Sequence, residues 1–137
     1  MRRAAAGFMA GLAVLAGIGC SKGTERSQAA YCGELRRLRP SLQPPPDAPL
    51  DRVYADAASA FDRLEGRAPE ENRRDVARMT RALHEMADLT AAAGGDPART
   101  DSRRLVEVAL ANKDANDRVN AYNKDRCGVD TAAATSP

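Results

Sequence analysis

The last long helical pattern of the chain, residues 102–127, constrains the fold most, because both of its ends are marked and a cysteine stands at its close. Leu105, Val108, Asn112, Ala115, Val119, Tyr122 and Arg126 follow one another at spacings of three and four, which draws one mostly apolar stripe along a helix. Asp101 or Ser102 offers the side-chain oxygen that accepts a free N–H at a helix start, and Gly128 supplies the left-handed residue that commonly follows a helix end. Cys127 lies beside this seam in the last turn, within reach of a neighbouring helix. The pattern is therefore read as one helix that returns to the start of the folded part and is bonded there to Cys32.

Three further helices are expected upstream. Ser27 caps residues 28–39, where Tyr31, Leu35 and Leu38 share a face with Cys32 beside them, and Pro40 ends the segment. Residues 41–49 carry Pro44, Pro45, Pro46 and Pro49 and are expected to run extended, as polyproline II, in the role of a stiff connector. Residues 50–66 have the cleanest stripe of the chain: Leu50, Tyr54, Ala57, Phe61, Leu64 and Ala68, with Val53 and Ala60 alongside. Pro69, Glu70 and Glu71 open a third helix, with acids facing the positive end of its dipole. Its seam is Val76, Met79, Leu83, Met86 and Thr90, and Gly94-Gly95-Asp96-Pro97 stops it.

No useful strand alternation interrupts these patterns, so the fold class is all-α: a small antiparallel bundle of about four helices closed by one disulfide. Alternating helix directions bring Cys32, early in the first helix, and Cys127, at the end of the last, to the same end of the bundle. A core with no Trp and many alanines needs such a closure.

The first twenty residues say where that bond forms. Arg2 and Arg3 precede the uncharged, mostly apolar residues 4–18, and Gly17-Ile18-Gly19 places small residues before Cys20. This is the layout of an export signal, and its apolar run is shorter than the roughly 20 residues that span a bilayer. Gly17-Ile18-Gly19-Cys20 resembles the lipobox of bacterial lipoproteins, which implies acylation of Cys20 and attachment to the membrane. Ordinary signal cleavage at the same place would instead leave a secreted protein with a free thiol. With Cys20 acylated, the three cysteines sort into one lipidated and two paired. The expected organisation is a signal peptide over residues 1–19, a lipidated cysteine and tether over 20–27, a bundle domain over 28–128 and a disordered tail over 129–137.

Loss of Arg2 and Arg3 with the signal turns 21 basic against 19 acidic residues into 19 against 19. Net charge then lends no support to nucleic-acid binding. His84-Glu85-Met86-Ala87-Asp88 matches a zinc-protease pattern with aspartate in place of the second histidine, which leaves His84 and Asp88 as weak metal candidates beside a plain solvated surface. Met79 and Met86 with Tyr54 or Tyr122 would suit a haem or copper pocket, or simply core filling. Asn112, Asn116 and Asn120 form a polar line on the last helix that either lines a ligand groove or fixes helix register. Arg36, Arg37, Arg39, Arg74, Arg78 and Arg81 offer either a surface for anionic lipid or partners for Glu70, Glu71, Asp75 and Glu85 in i, i+4 pairs.

With the lipobox-type signal, the early Cys32, the Ala- and Arg-rich helical body and the closing Tyr122, Cys127, Gly128 and Val129, the chain resembles the small secreted helical lipoproteins of actinobacteria. That resemblance implies an envelope location and a disulfide-closed helical fold, with no catalytic residues to carry over. The function expected is therefore a non-enzymatic lipoprotein without a cofactor, anchored through Cys20 to the outer face of the cell membrane. It would present a helical surface to an envelope protein or ligand, and a carrier of a small ligand, haem or metal ion is the alternative.

Overall fold

In the computed structural model, residues 25–131 are described. Five helices follow in order: α1 (Gln28–Leu38), α2 (Leu50–Arg67), α3 (Glu70–Ala92), α4 (Ser102–Ala111) and α5 (Lys113–Cys127). No strand occurs among the described residues. Residues 1–24, which hold the expected signal peptide and Cys20, and residues 132–137 lie outside them.

Local chemistry sets the helix ends. The Ser27 side chain accepts from the Ala30 N–H, and Asp101 accepts from the Arg104 N–H, so α1 and α4 begin on capping oxygens. Pro49 and Pro69 stand just before α2 and α3, and their carbonyls accept the first helical bonds, from Val53 and Arg73. At the end of α3, Gly94 takes a positive φ of 66°. Its N–H then bonds to Ala91 and that of Gly95 to Thr90, which satisfies carbonyls the helix leaves free. Gly128, at φ 65°, turns the chain at the end of α5 so that the Val129 N–H reaches the Asn123 carbonyl.

Three expectations are corrected. Residues 102–127 form two helices, because Asn112 adopts φ −109° and ψ 5° between them. Its side-chain amide donates to the Val108 carbonyl, while the Arg78 guanidinium from α3 takes both the Ala111 carbonyl and Asn112 Oδ1. A side chain that competes for helical carbonyls, and a cation that rewards the freed ones, together break the ladder. Residues 41–49 are not an extended rod. Arg39–Leu42 form a 3-10 turn beyond α1, and the Ala48 N–H bonds back to Pro45. Leu42, which the turn aims inward, packs on the core. The tail does not begin at residue 129: Val129 is buried in the core and the Thr131 hydroxyl is hydrogen-bonded.

α2 and α3 make the most extensive helix pair. α1 packs on α2 and α5, and α5 in turn packs on α3. The core is split in two. The larger part joins Tyr31, Leu35 and Leu38 of α1 to Ala60, Leu64, Val76 and Val119, and includes both disulfide cysteines. A smaller part gathers Ala82, Met86 and Val108 with Tyr54 and Leu105 against them. Each large side chain buried in full contributes roughly 1.5–3 kcal/mol.

Cys32 and Cys127 are bonded, with their Cα atoms 5.1 Å apart across 95 residues of chain. Polar bonds tie their two helices to each other and to α2 and α3. Arg36 donates to the Cys127 carbonyl, and the carboxylate of Glu34, buried on α1, sits 2.7 Å from both Arg37 and Arg63 of α2. The Arg63 contact is an ion pair rather than an aligned hydrogen bond. Arg118 of α5 grips Asp75 of α3 with two bonds of 2.7 and 2.8 Å. Those bonds hold the Asp75 carboxyl below its usual range, against a smaller desolvation effect.

Two outcomes follow. Replacing both cysteines with alanine, Cys32→Ala with Cys127→Ala, removes up to about 4–5 kcal/mol by the chain-entropy relation for a loop of this size, read as a lower urea midpoint. Because the Asp75 carboxyl is depressed in the folded state, its contribution is present above the unfolded carboxylate range and is lost as pH falls through the folded value. Asp75→Asn is therefore expected to flatten the acid limb of the stability curve below about pH 4, and an unchanged limb would refute that assignment.

Candidate ligand trough between the helices

α1 has 11 residues and α2 has 18, so α1 spans about 16 Å against about 27 Å for α2. α1 packs on Ala60, Leu64 and Ala68, toward the C-terminal end of α2, so that the N-terminal half of α2 is flanked on that side only by the turn at Arg39–Leu42 and the proline segment after it. The result is a trough floored by α3, with α2 on one side and α5 and the end of α4 on the other.

Two adjoining cavities make it up. The first, of about 310 Å³, lies among Tyr54, Ala57 and Phe61 of α2, Met79 and Leu83 of α3, and Asn116, Asn120 and Asn123 of α5, with Leu42 and Pro44 at one end. The second, of about 400 Å³, continues past Met79 and Leu83 to Met86, Leu110 and Lys113. Met79, Leu83 and Asn116 border both. The first cavity presents apolar side chains with amide and hydroxyl groups at one wall, a lining suited to an apolar ligand bearing an uncharged hydrogen-bonding group.

A polar chain ties that wall to the core. The buried Tyr31 hydroxyl donates to Asn123 Oδ1 at 2.9 Å, the Asn123 amide donates to Thr131 Oγ1, and the Thr131 hydroxyl donates to Asn120 Oδ1 at 2.7 Å. Burial pushes the Tyr31 phenol well above the usual tyrosine value, so it stays a donor throughout the physiological range. Asn72, also buried, stands beside the same hydroxyl and opposes that rise, while its Nδ2 lacks a well-aligned acceptor among the described residues. The Tyr122 ring meets the Tyr31 ring edge-on at 5.6 Å.

The structure separates most of the residues singled out by the sequence. His84 turns to Asp62 of α2, with Nε2 2.9 Å from Oδ1, and Asp88 is exposed. Among the described residues, no group of three or more His, Cys, Asp or Glu side chains is placed to hold a metal ion. Tyr54 and Met79 share the first cavity, Met86 borders the second, and Tyr122 lies away from both, donating to Glu71. Asn112 serves the helix break and borders the second cavity, while Asn116 and Asn120 line the first.

The arginines do not use i, i+4 partners from the acid set named above. Arg36 and Arg78 bond to carbonyls and Arg37 to Glu34, while Asp75 and Glu85 pair with Arg118 and Arg104 of other helices. Asn123 and Thr131 were not singled out. Asn123 stands four residues before Cys127 and so shares its helix face, a spacing that marks it as inward; no periodic signal marks Thr131.

Set against models of protein families, curated proteins and solved structures, the chain matches none.

Tyr31→Phe removes the donor to Asn123 and leaves that amide oxygen buried and unpaired. The expected loss is about 1–3 kcal/mol, measured by urea unfolding, and a variant as stable as the parent would show that the bond contributes nothing net.

Proposed function

We propose that the protein is an exported lipoprotein, held at the outer face of the cell membrane by acyl chains on Cys20, whose helical domain is a non-catalytic binding module working through the trough. The observation that carries this reading is the Cys32–Cys127 bond, because a structural disulfide persists in oxidising compartments outside the cytoplasm. The signal-like residues 1–19 and the lipobox-like Gly17 to Cys20 agree with it. The polar residues 21–27 then read as a tether, and Arg26 near its end donates to the Glu65 carbonyl at 3.2 Å where the domain begins. Binding rather than catalysis is inferred from the polar wall of the first cavity: Asn116, Asn120, Asn123 and Thr131 donate and accept hydrogen bonds but do not exchange protons near neutral pH.

A second reading, a carrier of a small ligand, is favoured by the size of the first cavity. At about 310 Å³ it falls at the lower end of the range that encloses small molecules. Its haem or metal form draws less support, since His84 is engaged with Asp62 outside that cavity.

Mass spectrometry of the protein taken from its own membrane tests the main reading. The expected product begins at Cys20, carries a diacylglyceryl group and an added acyl chain, and shows Cys32 and Cys127 refractory to alkylation until reduced. Cys20→Ala is expected to leave the precursor uncleaved and without lipid. A native product that starts at Met1, or inner thiols that alkylate before reduction, would overturn it.

A further inference from the structure

A surface cleft of about 400 Å³ at the disulfide shares no residue with the trough; it is lined by Gln28, Ala29, Cys32, Arg36 and Arg126. Cys32 is nearly buried, but the exposed residues that flank it on α1 are small. Ala29 stands one turn before it and Gly33 directly after it. A Cβ built on Gly33 meets nothing within 4 Å, and its φ is not positive, so neither packing nor backbone geometry calls for glycine there. Glycine inside a helix lowers stability relative to alanine, and what it supplies here is open space beside the Cys32 residue.

Charge singles out the same sulfur. Cys127 is the last residue of α5, where the negative end of the helix dipole disfavours a thiolate, whereas Cys32 lies one turn into α1, toward a positive end, with the Arg126 side chain at its cleft. Arg36 donates to the Cys127 carbonyl and also lines the cleft of Cys32, so it serves both cysteines and does not tell them apart. The Arg126 carbonyl, 3.7 Å from Cys32 Sγ, already accepts from Gln28 and holds a thiol only weakly. Before the bond exists, Cys32 is therefore the more open and the more reactive of the two.

We propose that this cleft is the entry point for oxidation, where the disulfide of an oxidising enzyme outside the cytoplasm approaches over Ala29 and Gly33 and reacts at Cys32. The Cys32 thiolate attacks one sulfur of the enzyme's disulfide, which breaks that S–S bond and releases the other enzyme sulfur as a thiolate. Cys127, after losing its proton to solvent, attacks Cys32 Sγ and expels the enzyme's sulfur. The enzyme ends as a dithiol, reduced by two electrons, and the Cys32–Cys127 bond is made. Reduction through the same cleft has to expel Cys127 as a thiolate at a helix C-terminus, and a poor leaving group slows that step. That the enzyme is met outside the cytoplasm rests on the exported reading above; the chemistry at Cys32 does not.

The mature protein, reduced under native conditions and freed of reductant, tests this. With limiting iodoacetamide, Cys32 is expected to alkylate at least about twofold faster than Cys127, the scale of a helix-end interaction discounted for the lower nucleophilicity of a stabilised thiolate, and the two rates are expected to converge in urea. Arg126→Gln is expected to slow alkylation at Cys32 and not at Cys127. Gly33→Leu, at an exposed site and favourable to the helix, is expected to slow reoxidation by oxidised protein disulfide isomerase several-fold while reoxidation by oxidised glutathione stays near the parent's rate.

Equal rates at the two cysteines, Cys127 reacting first, a Gly33→Leu variant that slows both oxidants alike or neither, or a reduced protein without helical circular dichroism would overturn the proposal. Alkylation of a third thiol, at Cys20, counts against the anchor and leaves the ratio between Cys32 and Cys127 to decide the proposal, so the two failures are distinguishable.

Discussion

The bond between Cys32 and Cys127 holds in place a helix that has little else to bury. α5 offers the core only Ala115, Val119, Asn123 and Cys127 as buried residues, and one of those four is polar. An amphipathic helix ordinarily docks through an apolar stripe worth several kcal/mol, and this one docks through specific bonds instead. The disulfide fixes its end, Arg36 takes its last carbonyl, Tyr31 bonds to Asn123, and Arg118 grips Asp75. Directional contacts of this kind set position more than they add stability, so the register of α5 is defined although its hydrophobic attachment is weak.

A bundle held in that way need not be filled along its length. The larger core forms around the disulfide end, where α1 is present, and the smaller one forms where α3, α4 and the start of α2 converge. Between them no helix fills the fourth position, because Pro40 and the proline-rich residues after it end α1 early and the chain continues there as a short 3-10 turn and a proline segment. A longer α1 would have closed the trough with its own apolar face. The proline segment thus acts on function through what it prevents, while Leu42 and Pro44 shape one end of the opening.

How much of this was legible depends on what kind of signal each residue leaves. Stripes at spacings of three and four mark the helices, the capping Ser27 and Asp101 mark two starts, and Gly94 and Gly128 mark two ends, so the all-α class and the cysteine pairing could be read directly. The break at Asn112 could not, because it depends on Arg78, 34 residues away, choosing the freed carbonyl of Ala111. The turn at residues 39–48 was misread because proline content reports the lost N–H and the fixed φ but not the backbone hydrogen bond that folds Ala48 onto Pro45. The trough was half legible: Met79, Leu83, Tyr54 and Phe61 were correctly marked as inward-facing, but periodicity cannot tell a residue that faces a neighbour from one that faces a gap.

The asparagines resolve that ambiguity once the gap is known. In a filled slot, Asn116 and Asn120 would confront the apolar face of a fourth helix and would each need a partner or incur the cost of a buried unpaired amide, about 1–3 kcal/mol. Here Asn120 is bonded to Thr131 and Asn116 is open to solvent, so neither incurs that cost. Asn123, one turn toward the disulfide at the inner end of the first cavity, is buried and accepts from the Tyr31 hydroxyl. The three asparagines of this helix face are thus each accommodated, Asn116 by solvent, Asn120 by Thr131 and Asn123 by Tyr31 and Thr131, and the opening is as much a product of the α5 sequence as of the short α1.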